Sequence, residues 1–427
     1  MAYRSEPPRF GLKGRKAMNA LDYRRALWLS ILLLTMGVGV RHGVAQQPTQ
    51  LPTDWSAIRG VNYIPSYARG SREIWEKYDH AVVDRELGYA AGLGLNSIRV
   101  FLHFRAYRHN PEKFLASVGD FLKLCARHRL TVLPILFDSC GTDARPDAVD
   151  MTSEAAYRKF LADPSLPQEA KKRMEQVYGE YALGRGKSVL VPVGKTTPVD
   201  IFIWRWWSPS PGFGWLTEAH WPELERYAHA VVSGFSNNPQ ILAWEVMNEP
   251  GVVMDRPAEM SPAQVEARLM KFLAHFCPFV KARSSGKPIT IGTEGNMDRV
   301  QNTEPYVDVI SLHCYSPAPA LTKYLEDTRR FAQEKGKPVM LTECLANTNN
   351  WLIIYGEERL STDAGQLEHY RQILPILVES RLGWYSWGFI TGNVFGAFVD
   401  IINPSGYRRP AAMYLEQILK GEARTAH

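Results

Sequence analysis

The sequence predicts an α/β fold, a (β/α)8 TIM barrel with a large insertion after strand three. Three observations carry that prediction. Short apolar runs of strand character alternate with amphipathic stretches of helical spacing along most of the chain, the pattern of a parallel sheet with crossover helices. Two segments, Gly286-Lys287-Pro288 and Gly336-Lys337-Pro338, close a helix with glycine and open a strand with proline, as tight helix-to-strand turns do. At their other ends the strands finish in polar and aromatic residues, and in such a barrel that face is where several strands build one site.

The first 45 of the 427 residues are set apart from the barrel. Arg24 and Arg25 precede an apolar run over 26–40, and Gly43-Val44-Ala45 puts small residues where a signal peptidase reads. The run is shorter than the roughly 20 residues of a membrane span, so a cleaved signal peptide is expected, with an uncleaved anchor as the alternative. Met18 offers a second start inside this leader. Because the leader holds eight Lys and Arg against two acids, 42 residues of each sign remain beyond it, and the formal charge of +6 belongs to the leader. Nothing in the charge suggests a nucleic acid partner, and none at a membrane is expected once the signal is removed. Five cysteines, at 125, 140, 277, 314 and 344, show no CxxC spacing and indicate neither a zinc site nor a disulfide framework.

A polar linker, 46–54, leads into the barrel domain, 55–420. Strand one is expected over 58–65, closed by Pro65. A helix follows over 79–92, with Val82, Leu87, Ala90 and Ala91 on one face, then strand two over 95–102. Pro111 opens a helix whose Phe114, Val118, Phe121, Leu122 and Cys125 recur at helical spacing. Strand three covers 131–137. The rhythm then breaks over 138–218, an insertion long enough to be functional. It resumes with a helix over 221–235 and strand four over 241–248, a helix over 263–283, strand five over 288–292 and strand six over 306–312. Helix 320–334, strand seven over 338–344, helix 364–382, strand eight over 384–389 and a last helix over 410–420 complete the count.

Strand four stops at Asn248-Glu249 followed by Pro250-Gly251, so a carboxylate sits where strand gives way to loop. Strand seven repeats the pattern 94 residues later with Glu343. A strand-end glutamate alone is more often a loop residue or a helix cap. Two of them, with Arg99, Asp138, His313, Tyr315 and Trp387 also at strand ends, point to an acid and a nucleophile. Glu245, inside strand four, reads as a supporting carboxylate, and Cys314 and Cys344 as small packing residues. In the insertion, Trp204, Trp206, Trp207 and Trp215 form either a satellite core or a sugar-stacking platform, with Trp207 and Trp215 as candidates for substrate binding. Trp351 and Tyr355, after Glu343, pose the same alternative.

Together these residues resemble the large clan of retaining β-glycosidases built on a (β/α)8 barrel, which includes the cellulase-like glycoside hydrolase family 5. The resemblance spans about 55–420. It implies that Glu249, in its Asn-Glu pair, is the acid/base, and that Glu343, in Leu-Thr-Glu, is the nucleophile. Arg99, Asn248, His313, Tyr315 and Trp387 match the clan's substrate-binding and supporting positions. Family 5 often has a histidine near the end of strand three, where this chain has Asp138-Ser139-Cys140. The implied substrate is a β-linked glucan or mannan, handled without metal or organic cofactor. A transglycosylase on the same site and a non-catalytic carbohydrate-binding protein are the alternatives. The chemistry asks that two close carboxylates differ, one charged and one holding a proton.

Overall fold

Eight strands close on themselves in sequence order, each parallel to the next, with the last pairing the first. They are β1 (Arg59–Asn62), β2 (Ser97–Phe101), β3 (Thr131–Asp138), β4 (Trp244–Asn248), β5 (Ile289–Thr293), β6 (Ile310–His313), β7 (Val339–Cys344) and β8 (Gly383–Ser386). This computed structural model describes residues 54–68, 70–140, 162, 164, 168, 209–253, 259–345, 363–390 and 399–421. The leader, Trp204, Trp206, Trp207, Trp351 and Tyr355 lie outside the described residues. Among those described, no helix is long and apolar enough to cross a membrane.

The helices start and stop where side chains satisfy their ends. Asp79 accepts from the Val82 amide to open His80–Gly92, and Asn110 accepts from Lys113 to open Pro111–Arg127, where proline also stands first. Ser261 and Gln264 exchange bonds as a capping box at the head of Pro262–Lys281. Gly336 ends Ala318–Lys335 in the left-handed conformation, as the Gly-Lys-Pro pattern predicts.

Two expectations are corrected. Strand six begins at Ile310 rather than 306, because Glu304–Tyr306 is a 3-10 turn with proline inside it. Three short helices, Ser71–Glu76, Phe104–His109 and Met297–Thr303, were not predicted; each is too short for a periodic apolar face to declare itself.

Two apolar layers hold the barrel. The larger lies between strands and helices, where Phe137 meets Phe272 and Phe276 edge to face. The smaller closes the barrel floor, where Ile58, Leu133, Leu242, Ala243, Val309, Met340 and Tyr385 point inward. Register does the rest. Asn62 pairs beside Arg99, Asp138 beside Asn248, Asn248 beside Gly292, and His313 beside Glu343. Residues far apart in sequence thus arrive at one height on the barrel wall.

Candidate active site

Arg99 is the hub. Its guanidinium is fully buried, and a buried cation is tolerable only when its charge and donors are met. Nε and Nη2 grip Glu245 at 2.8 and 2.5 Å in a bidentate pair. Nη1 donates to Asn62 Oδ1 at 2.7 Å and to Glu343 Oε1 at 2.6 Å. Nη2 also donates to Asn248 Oδ1 at 2.6 Å. Burial alone would lower the Arg99 pKa, but the Glu245 and Glu343 carboxylates outweigh it and hold the group above its ordinary value.

His313 links the two glutamates. A hydrogen on His313 Nε2 would point at Arg99 Nη2, 3.4 Å away and itself a donor, so the imidazole hydrogen sits on Nδ1. That hydrogen points at Glu249 Oε1, 2.8 Å away, with Glu343 Oε2 at 3.5 Å. At 1% exposed the ring is kept neutral: burial, helped by Arg99 and opposed by Glu343, lowers its pKa to about 4.

Glu343 sits at the end of β7, and its second oxygen, Oε2, accepts from the Tyr315 hydroxyl at 2.5 Å. Burial raises its pKa, as does Glu249, while His313, Arg99 and Tyr315 act the other way. Arg99 and Tyr315 therefore favour the charged form as expected, yet burial carries the net direction upward. Glu249, one residue past β4, adopts a left-handed backbone with φ 38°, uncommon outside glycine. Its pKa is pushed up to about 7, by burial first and then by Glu294, against Arg99 and the Cys140 thiol.

Asn248 is oriented from both sides: Oδ1 accepts from Arg99, and Nδ2 donates to Asp138 Oδ1 at 3.1 Å. Asp138 also accepts from the Cys140 amide at 2.9 Å. Gly292 gives this cluster its room, since a Cβ there would stand 2.4 Å from Glu245 Oε1 and 2.8 Å from His313 Nε2. Glu249, His313 and Glu343 each bring one possible ligand atom within 4.8 Å of the others; the Nδ1 hydrogen between two carboxylates accounts for that closeness without an ion.

Residues 162–390, more than half of the chain, match the family model described as cellulase, glycosyl hydrolase family 5. The chain belongs to that family. Its fold resembles the exo-beta-1,4-mannosidase Op5Man5 from Opitutaceae bacterium strain TAV5, at 14% identity over 86% of this chain and 60% of that one, with a TM-score of 0.55. This chain therefore spans less than two thirds of the mannosidase's length. It also resembles GH5_18 from Streptomyces cattleya in complex with Manb1-4GlcNAc, at 12% identity over 84% of this chain and 79% of that one, with a TM-score of 0.54. The comparison with curated proteins returned no match.

Within this family 5 barrel the predicted residues are distributed unevenly. Arg99, Asn248, Glu249, His313, Tyr315 and Glu343 form one connected cluster, and Asp138 stands beside Asn248, buried, as a brace on Asn248 and Cys140. Trp387 stands partly exposed at the end of β8, its ring edge-on to Phe101 at 6.2 Å. Trp215 packs instead in a separate cluster, 5.2 Å from Phe104 and 4.5 Å from His220, with Arg108 over its face. Asn62, one of the polar strand ends on the face expected from sequence to hold the site, joins the cluster through Arg99. Cys140 and Glu294 complete the surroundings; neither was expected there from sequence, and neither carries a motif.

Proposed function

We propose that the chain is a retaining glycoside hydrolase acting on β-linked glucan- or mannan-type saccharides by double displacement. Glu343 attacks the anomeric carbon while the bond to the leaving oxygen breaks and Glu249 gives that oxygen its proton. Glu249, now a carboxylate, then takes a proton from water as the water attacks the same carbon and releases Glu343. The observation that carries the reading is the closeness of the pair, an oxygen of each within 4.8 Å. A retaining pair stands about 5 to 5.5 Å apart, whereas an inverting pair leaves about 6.5 to 9.5 Å for a water between them.

Unequal surroundings support the assignment of roles. Glu343 is gripped by Arg99 and Tyr315, both donors to its charged form, while Glu249 receives the His313 imidazole and the weakly donating Cys140 thiol and is pushed toward its acid form. Asn248 has one Nδ2 hydrogen beyond the bond to Asp138, suited to a sugar 2-hydroxyl. The partly exposed Trp387 offers an aromatic face for the pyranose ring. The mannosidase and the Streptomyces cattleya complex with Manb1-4GlcNAc favour β-1,4-mannosides as the first substrates to try. The basic, then apolar leader supports secretion or a periplasmic location.

The test is a panel of β-linked mannans, glucans, xylans and galactans given to the protein and to Glu343→Ala, with product size and anomeric form followed. Cleavage by the wild type alone, with retained configuration, is expected. Glu249→Gln should lose about 10²- to 10⁴-fold in kcat. An inverted product, or undiminished hydrolysis by a folded Glu343→Ala, would overturn the mechanism; binding without turnover would leave a carbohydrate-binding protein.

A further inference from the structure

Glu294, one residue past β5, takes no part in the bond-breaking scheme above. Its Oε1 accepts from Arg299 Nε at 2.9 Å, and Arg299 reaches both oxygens of Glu266 at 2.7 Å. Its Oε2 is closed to solvent and meets no hydrogen-bond donor among the described residues. An orphaned carboxylate oxygen is costly, so something must compensate for its retention.

What does lie against Glu294 is the turn that presents Glu249. The Glu249 amide donates to the Gly292 carbonyl at 2.7 Å, two residues before Glu294, and the Val252 amide closes the turn on the Glu249 carbonyl at 3.0 Å. A Cβ on Gly251 would fall 1.8 Å from Glu294 Oε1 and 2.9 Å from Arg299 Nη2. Gly251 is thus the residue that lets this ion pair press against the loop.

We propose that Glu294 is a positioning residue for Glu249: seated against Gly251, its carboxylate sets the turn that holds Glu249 in its left-handed conformation, and its negative charge retains the Glu249 proton until the leaving oxygen takes it. The second half rests on the hydrolase reading. After burial, Glu294 is the strongest influence keeping Glu249 protonated, with Glu245 adding to it and Arg99 and the Cys140 thiol opposing. Among the described residues His313, Glu343 and Tyr315, whose ionisation Glu249 disfavours, also face Glu249. On its other sides Glu294 faces Arg299 and, through it, Glu266, together with Tyr324, whose ionisation it disfavours. Arg299 is held above its ordinary pKa, chiefly by Glu266 and Glu294 against burial, so it remains a fixed positive charge.

The test is a titration of protein labelled with carbon-13 at its glutamate carboxyls, followed by NMR, the Glu249 signal being assigned by its loss in Glu249→Gln. In Glu294→Gln the Glu249 midpoint should move down from about 7. In Arg299→Gln, which uncovers the Glu294 charge, it should move up. The basic limb of kcat/KM should follow in the same two directions. A midpoint that stays put, or moves the same way in both folded variants, overturns the proposal; should one variant not fold, the sign of the other decides. Because the titration needs no turnover, failure here is separable from failure of the hydrolase reading.

Discussion

The floor and the mouth of this barrel are built by the same strands and made of opposite materials. On β3, Leu133 points into the floor and Asp138 stands at the mouth; on β7, Met340 and Glu343 do the same. At the floor, polar groups are few and paired among themselves, as Tyr385 with Ser97 and Ser97 with Thr131, each at 2.8 Å. At the mouth Arg99, Glu245 and Glu343 are taken almost wholly out of water. The floor returns free energy when it buries its side chains. The mouth returns none unless every charge finds a partner, which is why its hydrogen bonds form one connected set. Stability is concentrated below and reactivity above, on shared strands.

The sharpest way to break this contrast is Arg99→Met. Removing the hub leaves Glu245 and Glu343 buried and uncompensated, and the loss expected is about 3 to 5 kcal/mol of stability. Urea unfolding measures it, and hydrolysis should vanish in whatever fraction stays folded. A variant as stable as the wild type would mean that the carboxylates reach water and that the mouth is not the dry, charge-balanced region described. Leu133→Ala is the counterpart below. It removes a fully buried floor side chain and should cost about 2 to 5 kcal/mol, yet leave kcat/KM of the folded protein unchanged. A loss of turnover at unchanged fold would show that floor packing tunes the mouth.

A pH-dependent prediction separates the two regions further. Glu249 holds its proton up to about 7 when folded, against an ordinary value of 4.5. A raised folded pKa contributes stability that is fully present below 4.5 and lost as pH rises through 7, since the buried carboxylate must then ionise. Glu249→Gln does not ionise, so its stability relative to the wild type should rise across that window, by ~3 kcal/mol at full ionisation. On the proposed mechanism activity falls over the same rise, since Glu249 would have lost the proton that it gives to the leaving oxygen. A stability difference flat from pH 5 to 9 would place Glu249 in contact with bulk water.

How much of this could be read from the chain alone depended on whether a feature was local. Helices 221–235 and 410–420 coincide with Trp221–Phe235 and Pro410–Lys420, because apolar spacing and an early proline mark them within one segment. Glu249 and Glu343 were legible for the same reason, each at the end of an apolar run with a characteristic neighbour. Glu245 was recognisable as a supporting carboxylate, but not its two-point grip on Arg99, which reaches from β2 past β3 to β4 inside the closed barrel. Glu294 was invisible: a glutamate before Gly295-Asn296 has no pattern, and its meaning comes from Gly251 on the neighbouring loop. Cys140 likewise becomes informative only when its thiol is found beside Glu249.

The smallest effect concerns Trp215, for which the sequence left a satellite core and a sugar platform equally open. The ring is partly exposed, but its faces and edges are taken by Phe104, His220 and the Arg108 guanidinium. Phe104 in turn packs on Tyr227, so this cluster ties the start of the loop after β2 to the helix before β4. A side chain so engaged contributes packing, and its partial exposure limits the cost of removal to about 1 to 2 kcal/mol in Trp215→Ala. Hydrolysis of long and short oligosaccharides should then fall equally or not at all. A selective loss on the longer ones would move the ring from the wall to the cleft, and would extend the mouth's chemistry beyond the cluster around Arg99.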